Sequence, residues 1–372
     1  MSRAAQFISK AANRLTKKAP APYARAKPRR KFLFEALEPR VLLSATPFYT
    51  AVSAQAAVDL TLRVENQNGV DTLQLLDTLS GSVKASAAVA SLTGPIEIFG
   101  SSFDDTLHIA SDLSAIAGGV LFDGGAGANT VAGPSADATW NVDGTDGGNV
   151  DGVRFTHVAH LAGAANNKDT FVFGAGASLS GIAEGGTQGF DTVVLNGAYQ
   201  SVSYIVTGAD SGTIKLDDVG VLFSGMEPVQ FTQAAGTFTY DGTIGNDTIS
   251  VHDILDAGGF NMEISGTGET VQFANPTNAL IVNGLLGADT ITVASLDPLF
   301  AADLQVYGFD GNPPGLVSDP LTDAVTFTGS ISTNGGYLEV FADHISVADG
   351  VTLSTKDPND PNGTNEIGRA HV

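Results

Sequence analysis

The sequence predicts an all-β protein, a parallel β-solenoid entered through a basic leader, and three observations carry that expectation. Glycine is abundant, at 44 of 372 residues, while methionine occurs 3 times and tryptophan once. That bias suits short strands and tight turns rather than helical bundles. A short element, a small residue followed by Asp or Asn, then Thr and an aliphatic residue, returns along most of the chain. No apolar run reaches the roughly 18 residues of a membrane-crossing helix, so no transmembrane helix is expected.

The chain is long enough for two ordinary domains or one repetitive one, and 43% apolar residues can fill a sizeable core. Charged residues make up only 16%, so the polar surface falls to Ser, Thr, Asn and Gly. The net charge of −22 conceals two populations. Residues 1–40 hold 11 of the 18 Lys and Arg and two acids, Glu35 and Glu38; the remainder sets 7 bases against 38 acids, a formal −31. An acidic body of this kind repels nucleic acid and anionic lipid, so no nucleic-acid partner is expected. It could attract cations, and it also keeps a Gly-rich β protein soluble. Cysteine is absent, which removes disulfides and thiolate chemistry. A secreted chain without disulfides fits a bacterial exoprotein better than a eukaryotic one, and the cytosol accommodates it too.

Residues 1–46 read as one unit. Phe7, Ile8, Ala11, Ala12 and Leu15 fall at helical spacing among basic residues, and Ala19–Lys31 is rich in Pro, Ala and Arg and reads as disordered. An Arg-rich leader also suits an organellar transit peptide. Arg29-Arg30-Lys31-Phe32-Leu33 looks like a twin-arginine export signal, but Glu35, Glu38, Pro39 and Arg40 make the following segment too polar for an ordinary signal core. Residues 34–45, Phe-Glu-Ala-Leu-Glu-Pro-Arg-Val-Leu-Leu-Ser-Ala, closely resemble the LEPR-XLL domain, with Leu37, Glu38, Pro39, Arg40, Leu42 and Leu43 carrying the match. That short motif stands near the N-terminus of very large repetitive bacterial proteins. The resemblance implies a secreted or surface-attached protein of adhesin type, with these residues as an exposed targeting segment read by secretion machinery.

Beyond residue 46 the chain becomes short apolar runs separated by Gly, Asn and Asp. The repeated element stands at Gly69–Leu73, Phe103–Leu107, Gly127–Val131, Gly189–Val193, Gly245–Ile249 and Gly287–Ile291, with degenerate copies at Asn167–Phe171 and Asp323–Val325. Gly supplies a turn with positive φ, Asp or Asn accepts a nearby backbone N–H, and Thr opens a strand. Alternation, as in Thr290-Ile291-Thr292-Val293, then sends Ile291 and Val293 to one face. Successive Asp/Asn positions are 34, 24, 40, 22, 56, 42 and 34 residues apart, which predicts a coil of roughly 20 residues carrying insertions. Residues 47–235 form an irregular β repeat region and 236–366 a more regular solenoid. There, Ile331, Leu338 and Ile345 are seven apart and are followed by Val351 and Leu353, as a three-sided coil requires. This stretch also looks like the repeats of filamentous-haemagglutinin-type adhesins. Tandem β-sandwich domains are the alternative architecture, and residues 195–240 fit them too.

The last six residues, Ile367–Val372, are encoded by ATC GGA AGA GCA CAC GTC, a string followed by the stop TGA in a widely used sequencing adapter. The expectation is adapter read-through, with the natural chain continuing past Glu366.

Calcium is the sharpest site hypothesis. Gly124-Gly125-Ala126-Gly127-Ala128-Asn129-Thr130-Val131 resembles the haemolysin-type (RTX) calcium repeat, with Asn for Asp, and the copies ending at Asp191, Asp247 and Asp289 lack its second Gly. The resemblance makes Asn129, Asp191, Asp247 and Asp289 candidate calcium ligands. Calcium takes 6–8 oxygens, which RTX proteins gather from tandem copies, whereas each copy here stands alone. A turn device needing no metal is the competing account, and no other cofactor is expected. Asp357–Gly363 fails the calcium-loop spacing because Pro361 stands at the third ligand position. Adjacent Asp104 and Asp105 suggest a polysaccharide-cleaving β-helix, but neighbours in a strand point to opposite faces. His157 and His160, three apart, suit no zinc motif. No catalytic Ser, zinc-protease or phosphate-loop motif is present.

The function expected is therefore structural and adhesive rather than enzymatic: an extracellular or cell-surface stalk whose partner is a surface ligand or matrix. A calcium-binding RTX-like exoprotein and a β-helix polysaccharide-degrading enzyme are the alternatives. A cleft with two or three convergent acids would mark the enzyme.

Overall fold

The computed structural model describes residues 47–254, 259–309 and 322–359, with the backbone of 367–371. Every regular element among them is a strand, apart from one turn of 3-10 helix at Val89–Ser91. The strands build two sheets of fifteen strands each.

The chain opens with β1 (Tyr49–Thr50) in the first sheet and an antiparallel meander in the second: β2 (Asp59–Gln67), β3 (Val70–Asp77) and β4 (Val83–Ala88). It then alternates, with β5 (Ile96–Phe99) and β7 (Val120–Asp123) in the first sheet and β6 (Thr106–Ile109) and β8 (Thr130–Ala132) in the second. A second meander, β9 (Thr139–Gly144), β10 (Gly147–Val150) and β11 (Val153–Thr156), belongs to the first sheet. Alternation resumes through β12 (His160–Ala162), β13 (Thr170–Phe173), β14 (Ile182–Glu184) and β15 (Thr192–Leu195). The third meander, β16 (Ser201–Gly208), β17 (Ser211–Leu216) and β18 (Val219–Ser224), lies in the second sheet. Next come β19 (Val229–Phe231) and β20 (Thr237–Asp241), then a fourth meander in the first sheet, β21 (Thr248–Asp253), β22 (Met262–Gly266) and β23 (Val271–Phe273). The last strands are β24 (Ala279–Asn283), β25 (Thr290–Val293), β26 (Asp303–Tyr307) and β27 (Ala324–Phe327). They are followed by β28 (Ile331–Ser332), β29 (Leu338–Phe341), β30 (His344–Val347), β31 (Leu353–Ser354) and β32 (Ile367–His371).

Successive coils pair in parallel and in step. Thr170, Phe171, Val172 and Phe173 of β13 stand opposite Thr192, Val193, Val194 and Leu195 of β15. The period of two puts Phe171, Phe173, Val193 and Leu195 inside, while Thr170, Val172, Thr192 and Val194 remain partly exposed. In-step pairing also stacks like on like. Trp140 lies on Phe171 at 5.2 Å, Tyr204 on Tyr240 at 5.4 Å and Tyr307 on Phe341 at 5.6 Å between ring centroids. Each such ring removes a large apolar area from water, and stacking adds about 1 kcal/mol per pair. The fold class is the expected β-solenoid, and residues 195–240 contribute β16 to β20 to the same two sheets. The coil has two long sides. Among the described residues a third side appears only where β28 pairs with β31, in the stretch whose Ile331, Leu338 and Ile345 are spaced for it.

Each meander replaces one strand of a sheet by three. The chain enters β9, which pairs with β13, and leaves by β11, which pairs back with β7. One meander therefore advances its sheet by two strands, about 10 Å at the usual strand spacing. The meanders alternate second, first, second, first sheet, and both sheets end level at fifteen strands. Alternation is what lets two sheets of unequal local content remain one column.

Candidate functional site

The repeated Gly and Asp/Asn residues build the corners of the coil. Asp105, Asn129, Asp169, Asp191, Asp247, Asp289 and Asp323 are all 3% exposed or less. All but Asp247 accept, through Oδ1, the backbone N–H of the corner residue in the neighbouring coil: Val58 to Asp105 at 2.7 Å, Asp105 to Asn129 at 2.9 Å, Ala138 to Asp169 at 2.8 Å, Asp169 to Asp191 at 2.7 Å. Asp247 donates to Asp289 at 2.8 Å and Asp289 to Asp323 at 3.0 Å. The return bond is equally regular, since Thr130, Thr192 and Thr290 N–H donate to the carbonyls of Asp105, Asp169 and Asp247 at 2.8 to 2.9 Å. Within one corner Oδ2 accepts the N–H four residues back, from Ser101 to Asp105 and from Thr243 to Asp247.

Glycine is required here because the carboxylate fills the space of a side chain. A Cβ on Gly284 would stand 2.4 Å from Asp289 Oδ2 and 2.4 Å from the Gly308 carbonyl; one on Gly163 would stand 2.6 Å from Asp169 Oδ2. Where Asn129 replaces Asp, its Nδ2 donates to the His157 carbonyl at 2.9 Å, and Gly125 N–H turns instead to Asp123 Oδ1 at 3.0 Å. Burial raises the carboxyl pKa of Asp169 and Asp191 above the usual range, against the pull of their N–H donors.

The candidate calcium ligands Asn129, Asp191, Asp247 and Asp289 thus stand at four buried corners with at least one side-chain oxygen given to backbone N–H. Asn129 lies on the edge where the chain passes from first sheet to second, and the three Asp on the opposite edge. Asp191 and Asp247 are separated by the third and fourth meanders. Among the described residues no three His, Cys, Asp or Glu side chains are placed to hold one metal ion. Leu37, Glu38, Pro39, Arg40, Leu42 and Leu43 lie outside the described residues, as do residues 360–363 of the polar loop. Asp105 is buried in its corner while Asp104 is exposed and takes Ala128 N–H at 2.7 Å, so the two diverge. His157 pairs with Asp123 at 2.7 Å and His160 accepts Ile182 N–H at 3.3 Å; they share no ligand position. The first copy, Gly69–Leu73, is no corner at all: Asn68 and Gly69 form the β2–β3 hairpin turn with φ of 53° and 86°, and Asp71 is exposed.

Carboxylates do converge at one place. Between Asp191 and Asp247 the corner ladder is interrupted, and the tips of the third and fourth meanders meet on that edge. Asp210 comes from the β16–β17 tip, Glu227 from the β18–β19 turn and Glu269 from the β22–β23 tip. Asp191, Asp210 and Glu227 line a cavity of about 60 Å³. Burial first, then the charges of Glu227 and Asp210, push the Glu269 carboxyl up to about 7, with Thr270 N–H opposing. A second cavity of about 270 Å³ lies between the corners of Ser101 and Gly125. Sequence reasoning missed the acidic junction because its members are far apart in the chain and belong to no repeat.

No family model, curated protein or solved structure matches the chain.

Proposed function

We propose that this chain is a structural, adhesive protein of the bacterial surface or exterior, a stiff β-solenoid stalk and not an enzyme. One observation carries the reading: the repeated carboxylates, the most conspicuous chemistry in the sequence, bond backbone N–H from coil to coil. They act as the mortar of a column. Fifteen strands per sheet give a length of roughly 70 Å at the ordinary strand spacing, and nearest-neighbour packing makes such a column resist unfolding along its length. Three acids do converge, but their cavity measures about 60 Å³, and the larger one, about 270 Å³, is lined by the single acid Asp123; both fall below the roughly 300–1,000 Å³ of ordinary ligand pockets, which weighs against the polysaccharide-degrading alternative.

The test is adhesion under flow. Beads coated with the purified chain are passed over polysaccharide- and protein-coated surfaces beside albumin-coated beads. Retention several-fold above the albumin control supports an adhesive stalk; equal retention on every surface removes the adhesive part of the reading.

A further inference from the structure

The larger of the two cavities sits where three successive corners of one edge meet. Val52 follows β1, Gly100 to Ser102 follow β5, and Asp123 to Ala126 run from the end of β7, each where the chain leaves the first sheet for the second. With Phe99 they enclose a hollow of about 270 Å³. Its side-chain walls are mostly apolar, from Val52, Phe99 and Ala126. Val52 is 70% exposed, which makes it the outer lip.

Two of the lining side chains belong together. Phe99 and Asp123 end β5 and β7 and stand directly opposite each other in the parallel register. Alternation turns both to the outer face, because Ile96, Ile98, Val120 and Phe122 take the inside. An aromatic residue therefore neighbours a carboxylate at one strand spacing, about 4.8 Å. The carboxylate keeps an oxygen in hand. Asp123 Oδ1 takes Gly125 N–H at 3.0 Å and stands 2.7 Å from His157 Nδ1, and among the described residues no hydrogen bond is made to Oδ2. Ser101 is committed elsewhere, since its N–H and hydroxyl both go to Asp105.

Carboxylate, ring and aliphatic walls together select a ligand. Asp123 repels an anion. A metal ion such as calcium needs several oxygens in place of its water, and one carboxylate among apolar walls does not supply them. An ammonium wrapped in carbon suits all three surfaces, because its charge is attracted by the carboxylate and by an aromatic ring and its methyl groups meet aliphatic side chains. We propose that this corner hollow binds a small organic cation of the quaternary-ammonium class, with Asp123 and Phe99 holding the charge and Val52 and Ala126 holding the methyl groups. The hollow is smaller than the roughly 300–1,000 Å³ of ordinary ligand pockets, so it takes a head group and not a large molecule. Such a site operates whether or not the column adheres.

The probe is choline, and its control is the neutral alcohol of the same shape, in which carbon replaces the charged nitrogen. Binding to the full chain is followed by saturation-transfer NMR and calorimetry, at an ionic strength held constant with potassium chloride. Choline binds in the millimolar range, roughly fivefold or more tighter than the alcohol. Asp123→Asn keeps an acceptor for Gly125 N–H and removes the preference for choline. Phe99→Leu, still apolar, weakens choline and leaves the alcohol. Ala126→Phe, at an exposed corner position, fills the hollow and removes both signals while the thermal midpoint stays in place. Absence of choline binding, or equal binding of choline and the alcohol by the wild type, overturns the site. A preference that survives Asp123→Asn, or choline binding that survives Ala126→Phe, overturns it too, by showing diffuse attraction to an acidic surface.

Discussion

At a corner of the coil, one glycine and one aspartate share a single volume, so the two positions are tied although they lie five or six residues apart. Gly284→Ala places a methyl 2.4 Å from both Asp289 Oδ2 and the Gly308 carbonyl, and is expected to cost about 1–3 kcal/mol, the usual range for overpacking. Gly94→Ala, with nothing within 4 Å of its Cβ, should stay within about 0.5 kcal/mol of the wild type; urea unfolding of the two variants measures both. Asp247→Ala strands the N–H of Thr243 and leaves Asp247's own N–H to Asp289 untouched, so a loss of about 1–3 kcal/mol is expected in the same assay. Asp247→Asn should cost less than Asp247→Ala, because Asn129 already serves a corner with one oxygen and finds other acceptors for its amide. This much was readable from the chain, since Gly, Asp and Thr recur in a fixed order. What the order does not reveal is that the side chain points inward: the same Asp-Thr pair is exposed at Asp71 and buried at Asp247. The difference lies in what stands one coil away.

At the scale of elements, the coil was legible and the meanders were not. Plain corners are 22 residues apart from Asp169 to Asp191 and 20 from Asp323 to Asp343, while Asp247 to Asp289 spans 42 because β21, β22 and β23 intervene. The long spacing from Asp247 to Asp289 was thus the trace of an inserted hairpin. Their turns were signalled by Asn68-Gly69 and Asp151-Gly152, both pairs at positive φ and both suited to two-residue hairpins. Inner strands of a meander alternate buried and exposed residues as coil strands do, so hydrophobic pattern alone cannot separate them. If the meanders balance the sheets, excising β10 and β11 by joining β9 to β12 sets the first sheet two strands short. That deletion should broaden and lower the thermal transition. A second excision in the other sheet, joining β16 to β19 without β17 and β18, should recover part of the loss, and melts of the single and double deletions decide it.

For the molecule as a whole, the acidic charge raises the question of cations. With corner oxygens engaged by backbone N–H, the thermal midpoint in excess calcium and in chelator should agree to within a degree or two, the shift expected of weak surface screening alone. A clear rise with calcium would return Asn129, Asp191, Asp247 and Asp289 to the role of metal ligands and move the calcium-binding exoprotein reading ahead. The overall architecture was legible because parallel coils need few sequence devices, repeated often. The acidic junction was not, because Asp210, Glu227 and Glu269 come together only through the pairing of two separate meanders.

The balanced meanders also bear on how such a chain can change over generations. A duplication that copies one meander leaves the two walls out of step by about 10 Å, and every later coil inherits the slant. A duplication that carries one meander for each wall, or a plain coil with none, preserves the alignment. Length variants of this protein should therefore be selected in whole coils or in paired blocks, and the heritable unit is larger than the short repeat that first catches the eye.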